Sequence, residues 1–293
     1  MNFGIMTAVI SPMLADGVTV NKQTLVSVIE SQLAQGVGSI LALGGTGENM
    51  AVHQAARKEI LEITVRTVNH RVPVVAGVVE LGVHDAVHAA TVAKEAGVDV
   101  LLVSTPFGAS TPLSGCIDFY KAVDKAAQLP ILIYNFPGRT GYNATPDIVE
   151  KLLEAVPNIV GMKESSEKFD QTAEQIARFG DRISVLSGNE FLAAWEMLAG
   201  AKGAILASSN VLPSQWVEIW KSAANRDAAK VTELGNRYRR FQKLLFKSPN
   251  PGPTKYAMTL QGFDAGLPLL PVCEAPSALK EEIKAEMEKL DLI

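Results

Sequence analysis

Short, unbroken apolar runs alternate along the chain with longer stretches in which apolar positions recur every three or four residues. The short runs are GIMTAV (4–9), SILALG (39–44), VPVVAG (72–77), VDVLLVS (98–104), PILIYN (130–135), NIVGMK (158–163), ISVLSG (183–188) and GAILAS (203–208). Val, Ile and Leu without strict alternation are what a strand carries when helices cover one face and a packed interior covers the other. The longer stretches have helical period: in 22–35, Leu25, Val28, Ile29 and Leu33 share one face. Thr145 before Pro146 predicts a helix start, and Pro213 predicts another after the last strand. Strand and helix alternating through eight units predict an α/β fold of the (β/α)8 TIM barrel kind.

After residue 222 the strand pattern stops. Segment 226–247 places Val231, Leu234, Tyr238, Phe241 and Leu245 on one face, SPNPGP (248–253) interrupts the chain, and helical patterns resume near 254–261 and 276–290. The expected organisation is a barrel over 1–222 that carries the active site, with a C-terminal helical annex, 223–293, packed on it.

Composition narrows the partners. Across 293 residues the chain is 47% hydrophobic and 20% charged, a globular balance remote from disorder. A net charge of −4 gives no electrostatic basis for binding nucleic acid or an anionic membrane, so a small molecule is the expected partner. Cys116 and Cys273 stand far apart, outside any disulfide framework or metal-ligand spacing, which fits a reducing cytoplasm. No signal-peptide pattern opens the sequence, and no apolar run approaches the ~20 residues that span a bilayer. His84 and His88 lie four apart on one helix face, but the glutamate of H-E-x-x-H and a third ligand are lacking, so no metal is expected.

In a barrel of this type chemistry sits where strands end and helices begin. The second strand ends in LALGGTGENM (41–50), either a plain tight turn or an anion-binding nest built of successive backbone N–H groups around Thr46. It lacks the third glycine of a dinucleotide fingerprint. The fifth ends in YNFPGRTG, with Tyr134 able to relay protons and Arg139, in a Pro/Gly turn, able to grip a carboxylate. The sixth ends in GMKESS, where Lys163 is either a rim charge reaching water or an amine held in a dry pocket. Desolvation disfavours the ammonium form and frees the lone pair that attacks carbonyls. If the three ends share one pocket, the nest would hold the carboxylate of a 2-oxo acid, Lys163 would form an imine with its ketone, and Tyr134 would move the protons.

At these residues the sequence resembles the dihydrodipicolinate synthase and N-acetylneuraminate lyase family of Schiff-base-forming pyruvate lyases. GGTGE, YNFPGRTG and GMKESS match its motifs in order, and the similarity runs from about residue 5 to NPGPTKYAM. The resemblance implies a catalytic set of Lys163 (imine), Tyr134 (acid/base) and Thr46, with the Gly45 and Gly47 backbone completing the pyruvate-carboxylate site. It also implies that Arg139 holds the distal carboxylate of aspartate semialdehyde, and that Gly188 and Ile205 line the pocket on strands seven and eight. Pyruvate and an aldehyde as small-molecule partners, no metal or organic cofactor, and a homotetramer or homodimer follow from the same likeness.

Two positions depart from the synthase pattern. Gly45 stands where synthases usually carry the first threonine of a Thr-Thr pair, and STPFGAS offers Phe107 and Gly108 where a second tyrosine normally follows strand four. GGTGE looks like the turn of the sugar-acid dehydratase branch, whereas YNFPGRTG looks like that of the synthases. The leading expectation is condensation of pyruvate with aspartate semialdehyde. The alternatives are an aldolase or dehydratase of 2-keto-3-deoxy sugar acids, and a paralogue that binds a 2-oxo acid without turnover.

Overall fold

The computed structural model describes residues 3–108 and 110–293. Eight parallel strands close into a barrel in chain order: β1 (Gly4–Ala8), β2 (Ser39–Ala42), β3 (Val74–Val78), β4 (Val100–Ser104), β5 (Ile131–Asn135), β6 (Ile159–Glu164), β7 (Ser184–Ser187) and β8 (Gly203–Leu206), with β1 pairing β8. Each predicted strand is present, with ends that differ by one or two residues. The last is shorter than GAILAS, because Ser208–Asn210 turn into a 3-10 helix ahead of helix Pro213–Ala224. Thr145 is the residue before helix Pro146–Ala155, although its side chain makes no capping bond. A short helix, Pro137–Thr140, replaces the predicted Pro/Gly turn around Arg139, opened by its proline and stopped by Gly141 in the left-handed region.

Two hydrophobic clusters explain the lack of alternation in the strands. Met6, Leu41, Val75, Leu102, Leu132, Tyr134, Leu186 and Ile205 pack together inside the barrel. Ile5, Ile40, Val74, Leu101, Ile133 and Met162 pack outward under the helices. Both faces are dry, so both are apolar.

β6 departs from simple alternation, and the departure aims its lysine. Ile131 pairs with Ile159 but Leu132 pairs with Gly161, leaving Val160 as an extra residue. Ile159 faces the helices and Val160 packs against the interior. Strict alternation from Ile159 would send Lys163 outward. The bulge shifts the phase, so Met162 takes the outer face and Lys163 the inner one. Gly161 permits the close approach, since a Cβ there would lie 2.6 Å from the Ser184 carbonyl oxygen.

Beyond the barrel come helices Ala228–Leu245, Gly252–Leu260 and Ser277–Lys289. Val231, Leu234, Tyr238, Phe241 and Leu245 are buried as their spacing predicts, in the same cluster as the outer faces of the strands. Among the described residues no helix is long and apolar enough to cross a membrane. His84 and His88 are exposed, and no metal-holding group of three His, Cys, Asp or Glu side chains forms among the described residues.

Behind β7 a buried carboxyl makes stability depend on pH. Glu196 is 1% exposed and accepts a short hydrogen bond from Ser187 Oγ. Burial pushes its carboxyl up from 4.5 to about 7, against the Ser187 bond and with help from the charge of Glu164. Between pH 4.5 and about 7 the unfolded chain has released this proton while the fold retains it. Stability therefore falls as pH rises through that window and levels off above it, by about 3 kcal/mol from this group. Glu196→Gln keeps the Ser187 acceptor without the charge. We expect it to flatten the slope of Tm against pH over the window and to raise Tm at pH 8 by roughly 5 °C or more. Melting curves of both proteins across that range check this, and unchanged slopes would refute it.

Candidate active site

The C-terminal mouth of the barrel opens into a cavity of about 210 Å³. Gly45, Thr46, Tyr134, Arg139, Lys163, Gly188 and Ile205 line it together, drawn from β2, β5, β6, β7 and β8 or the loops that follow them. Gly47 does not: it turns inward beneath the loop, where its carbonyl accepts from Ser11 Oγ at 2.6 Å and a Cβ would press on Val9 and Leu43. A larger groove, about 710 Å³, lies at the opposite end of the strands against Ile159, Ser184 and Trp220. It contains none of these groups, and reactions in this fold occur at the other face.

Lys163 and Tyr134 are register partners on adjacent strands. Lys163 is 8% exposed and Tyr134 3%, with the lysine Nζ 4.6 Å from the centre of the phenol ring. Among the described residues no carboxylate lies within ion-pair distance of that Nζ. A buried amine flanked by an aromatic face and without a contacting carboxylate is suited to attack rather than to charge display. Gly188 lets the lysine stem pass, because a Cβ there would sit 2.6 Å from Lys163 Cε and would overlap Ser165 Oγ.

Thr46 is buried in the turn after β2, and the amides of Thr46 and Gly47 donate to no backbone carbonyl among the described residues. The Gly45 departure has a steric counterpart. A Cβ on Gly45 would overlap Arg139 Nη1, so the guanidinium rests on the bare glycine. Arg139 also stacks on Phe136, its Cζ 5.0 Å from the ring centre. The mixed character of the two motifs thus has a physical basis: the arginine of one occupies the space left by the other.

Ser165, Glu190 and Asn250 are among the lining residues that the sequence reading did not name. Ser165 Oγ is buried and has no hydrogen-bond partner among the described residues. Glu190 is buried, its carboxylate accepting from the Ala207 amide at 2.5 Å and from the Ser208 hydroxyl. Burial raises its pKa, against those hydrogen bonds and the charge of Lys163. Asn250 reaches the cavity from SPNPGP. Glu190 stands three residues past the end of β7, where the strand-end rule could have found it; Asn250 offers no comparable signal.

A dry amine, a phenol against it and a polar turn that can hold an anion, all at the mouth of a closed (β/α)8 barrel, are the working parts of the class I aldolase type of lyase. Comparison with known proteins places the chain more narrowly. It belongs to the dihydrodipicolinate synthetase family, whose model matches residues 1–290. It is 31% identical over 293 residues to the 4-hydroxy-tetrahydrodipicolinate synthase of Halorhodospira halophila, covering 99% of this chain and 97% of that one. Against the enzyme of the same name from Citrifermentans bemidjiense it is 34% identical, over 99% of both chains. The chloride-inhibited dihydrodipicolinate synthase of Acinetobacter baumannii, solved with pyruvate, has a TM-score of 0.95 at 30% identity over 100% of both chains.

Proposed function

We propose that this chain is a Schiff-base-forming pyruvate lyase/synthase with the activity of a 4-hydroxy-tetrahydrodipicolinate synthase, condensing pyruvate with aspartate semialdehyde. The observation that carries this reading is the meeting of Lys163, Tyr134, Thr46 and Arg139 in one cavity. Thr46 and the adjacent amides hold the pyruvate carboxylate. The Lys163 Nζ lone pair attacks C2, Tyr134 protonates the departing oxygen, and water leaves as the imine forms. Loss of a methyl proton gives the enamine, because the protonated imine takes up the electron pair; no metal or organic cofactor is needed. The enamine carbon attacks the aldehyde, whose distal carboxylate lies on Arg139. The amine of the semialdehyde then closes the ring at C2 and releases Lys163.

In this reading residues 1–222 carry the chemistry and 223–293 form an annex packed on the barrel. We further infer a cytoplasmic homodimer or homotetramer. The unpaired Cys116 and Cys273 and the exposed apolar Met50 and Leu81 near the rim support it.

One observation favours the second reading, an aldolase or dehydratase of 2-keto-3-deoxy sugar acids. Ser165 Oγ, unpartnered and buried, and the Glu190 carboxylate line the cavity, and both suit substrate hydroxyls. A binding paralogue without turnover has no use for the buried amine. A panel of aldehydes, led by aspartate semialdehyde, and of 2-keto-3-deoxy acids decides the matter, assayed for pyruvate consumption or release. The expected result is consumption of pyruvate with aspartate semialdehyde as the best partner. Release of pyruvate from a sugar acid, with none consumed, would establish the second reading instead.

A further inference from the structure

The hydroxyl of Thr46 is not free to turn. Its Oγ1 accepts a hydrogen bond at 3.0 Å from Asn250 Nδ2. An amide nitrogen only donates, so Thr46 must be the acceptor and its single proton points elsewhere. The amide is fixed from its other side, where Thr254 Oγ1 donates to Asn250 Oδ1 at 3.0 Å. Thr254 is buried on helix Gly252–Leu260, and the helix is itself fastened to the turn that carries Thr46.

Lys255, the next residue, is 1% exposed and pairs with Glu48 at 2.6 Å. Its ammonium also donates to the carbonyls of Ser11 at 3.1 Å and Leu267 at 2.9 Å. Glu48 lies two residues past Thr46 in the left-handed region, φ 54°, and its other oxygen accepts from the Leu269 amide at 2.6 Å. Burial lowers the lysine's pKa, while the glutamate's charge and hydrogen bond oppose the shift. A buried pair of this kind contributes little net energy, but removing one partner is severe, so it fixes geometry more than it adds stability.

We infer that Asn250 is a positioning residue: the relay Thr254 to Asn250 to Thr46 turns the Thr46 proton into the cavity, toward the carboxylate of the bound 2-oxo acid. The inference rests on reading the cavity as a pyruvate site. It makes the annex part of the binding machinery, because the donor that orients the anion site comes from beyond the barrel.

The test is borohydride trapping of the Lys163 imine against ketone concentration, with pyruvate and with methyl pyruvate, which has the ketone but no charged carboxylate. Asn250→Ala is expected to raise half-saturating pyruvate about tenfold, the scale of one hydrogen bond to a charged group. It should leave methyl pyruvate unchanged. Asn250→Asp would take the Thr46 proton and set a like charge near the carboxylate, raising the value about a hundredfold. Added to Thr46→Val, Asn250→Ala should change less than about twofold, because both remove one interaction. An unchanged pyruvate value in Asn250→Ala, equal losses for both ketones, or full additivity with Thr46→Val overturns the inference. If the Asn250 variants do not fold, Thr254→Val reads the same relay from its far end, with about a threefold rise expected for pyruvate and no change refuting it. Wild-type protein that traps no pyruvate brings down the site reading and this inference together. Trapping without an Asn250 effect removes only the inference.

Discussion

Lys163→Met is expected to lose the borohydride-trapped pyruvate adduct entirely and to lower turnover by at least about 10³-fold, the scale on which a covalent route fails without its nucleophile. The loss should occur in a protein that still folds. Lys163 is 8% exposed, and no carboxylate pairs with it among the described residues, so methionine puts an apolar group of similar length into the same buried space without breaking an ion pair. Its Tm should hold or rise. Lys163→Arg separates charge from chemistry, because guanidinium keeps the positive charge and does not deprotonate in a protein. If electrostatic attraction of the carboxylate were the main role of position 163, arginine would preserve much of the rate. We expect it to be as inactive as methionine. Intact-mass measurement after reduction with pyruvate is the direct readout. An adduct that survives in Lys163→Met places the reactive amine elsewhere, and turnover that survives disposes of the imine mechanism.

That the lysine faces the interior at all depends on a feature the sequence hid. The eight strands were legible because strands dry on both faces become continuous apolar runs, and the helices were legible because their single dry face imposes a period. Neither signal carries phase. NIVGMK reads equally well with Lys163 among the helices or inside the barrel, and the extra residue at Val160 selects the second. The strand-end rule found Thr46, Tyr134 and Arg139 because each lies within a few residues of the strand that positions it. Asn250 meets Thr46 across 204 residues, in a stretch whose prolines read only as a break in helical pattern. Gly45 was legible as a departure and not as a fit, since its meaning depends on where the guanidinium of Arg139 comes to rest. Local pattern identified the elements, and long-range steric and polar contacts decide what their ends can do.

The seat of Arg139 on Gly45 yields the sharpest statement about the second substrate. Arg139→Ala removes a fork that can hold a carboxylate through two parallel charge-assisted hydrogen bonds, together contributing up to about 3 kcal/mol. The expected rise in KM for aspartate semialdehyde is about a hundredfold, with the KM for pyruvate within about threefold of its starting value. Arg139→Lys should recover only part of the loss, because a point charge cannot match the planar geometry. Gly45→Ala attacks the same contact from beneath. A Cβ at position 45 overlaps Arg139 Nη1, and since that atom ends a flexible chain the guanidinium is displaced while the fold stays intact. We expect about a tenfold rise in the aldehyde KM from Gly45→Ala in the native background and almost none on top of Arg139→Ala. Steady-state kinetics varying each substrate in turn, across the two single variants and the double, measure that coupling. Equal shifts in both KM values would show that Arg139 does not meet the second substrate, and full additivity would show that the glycine serves the turn and not the arginine.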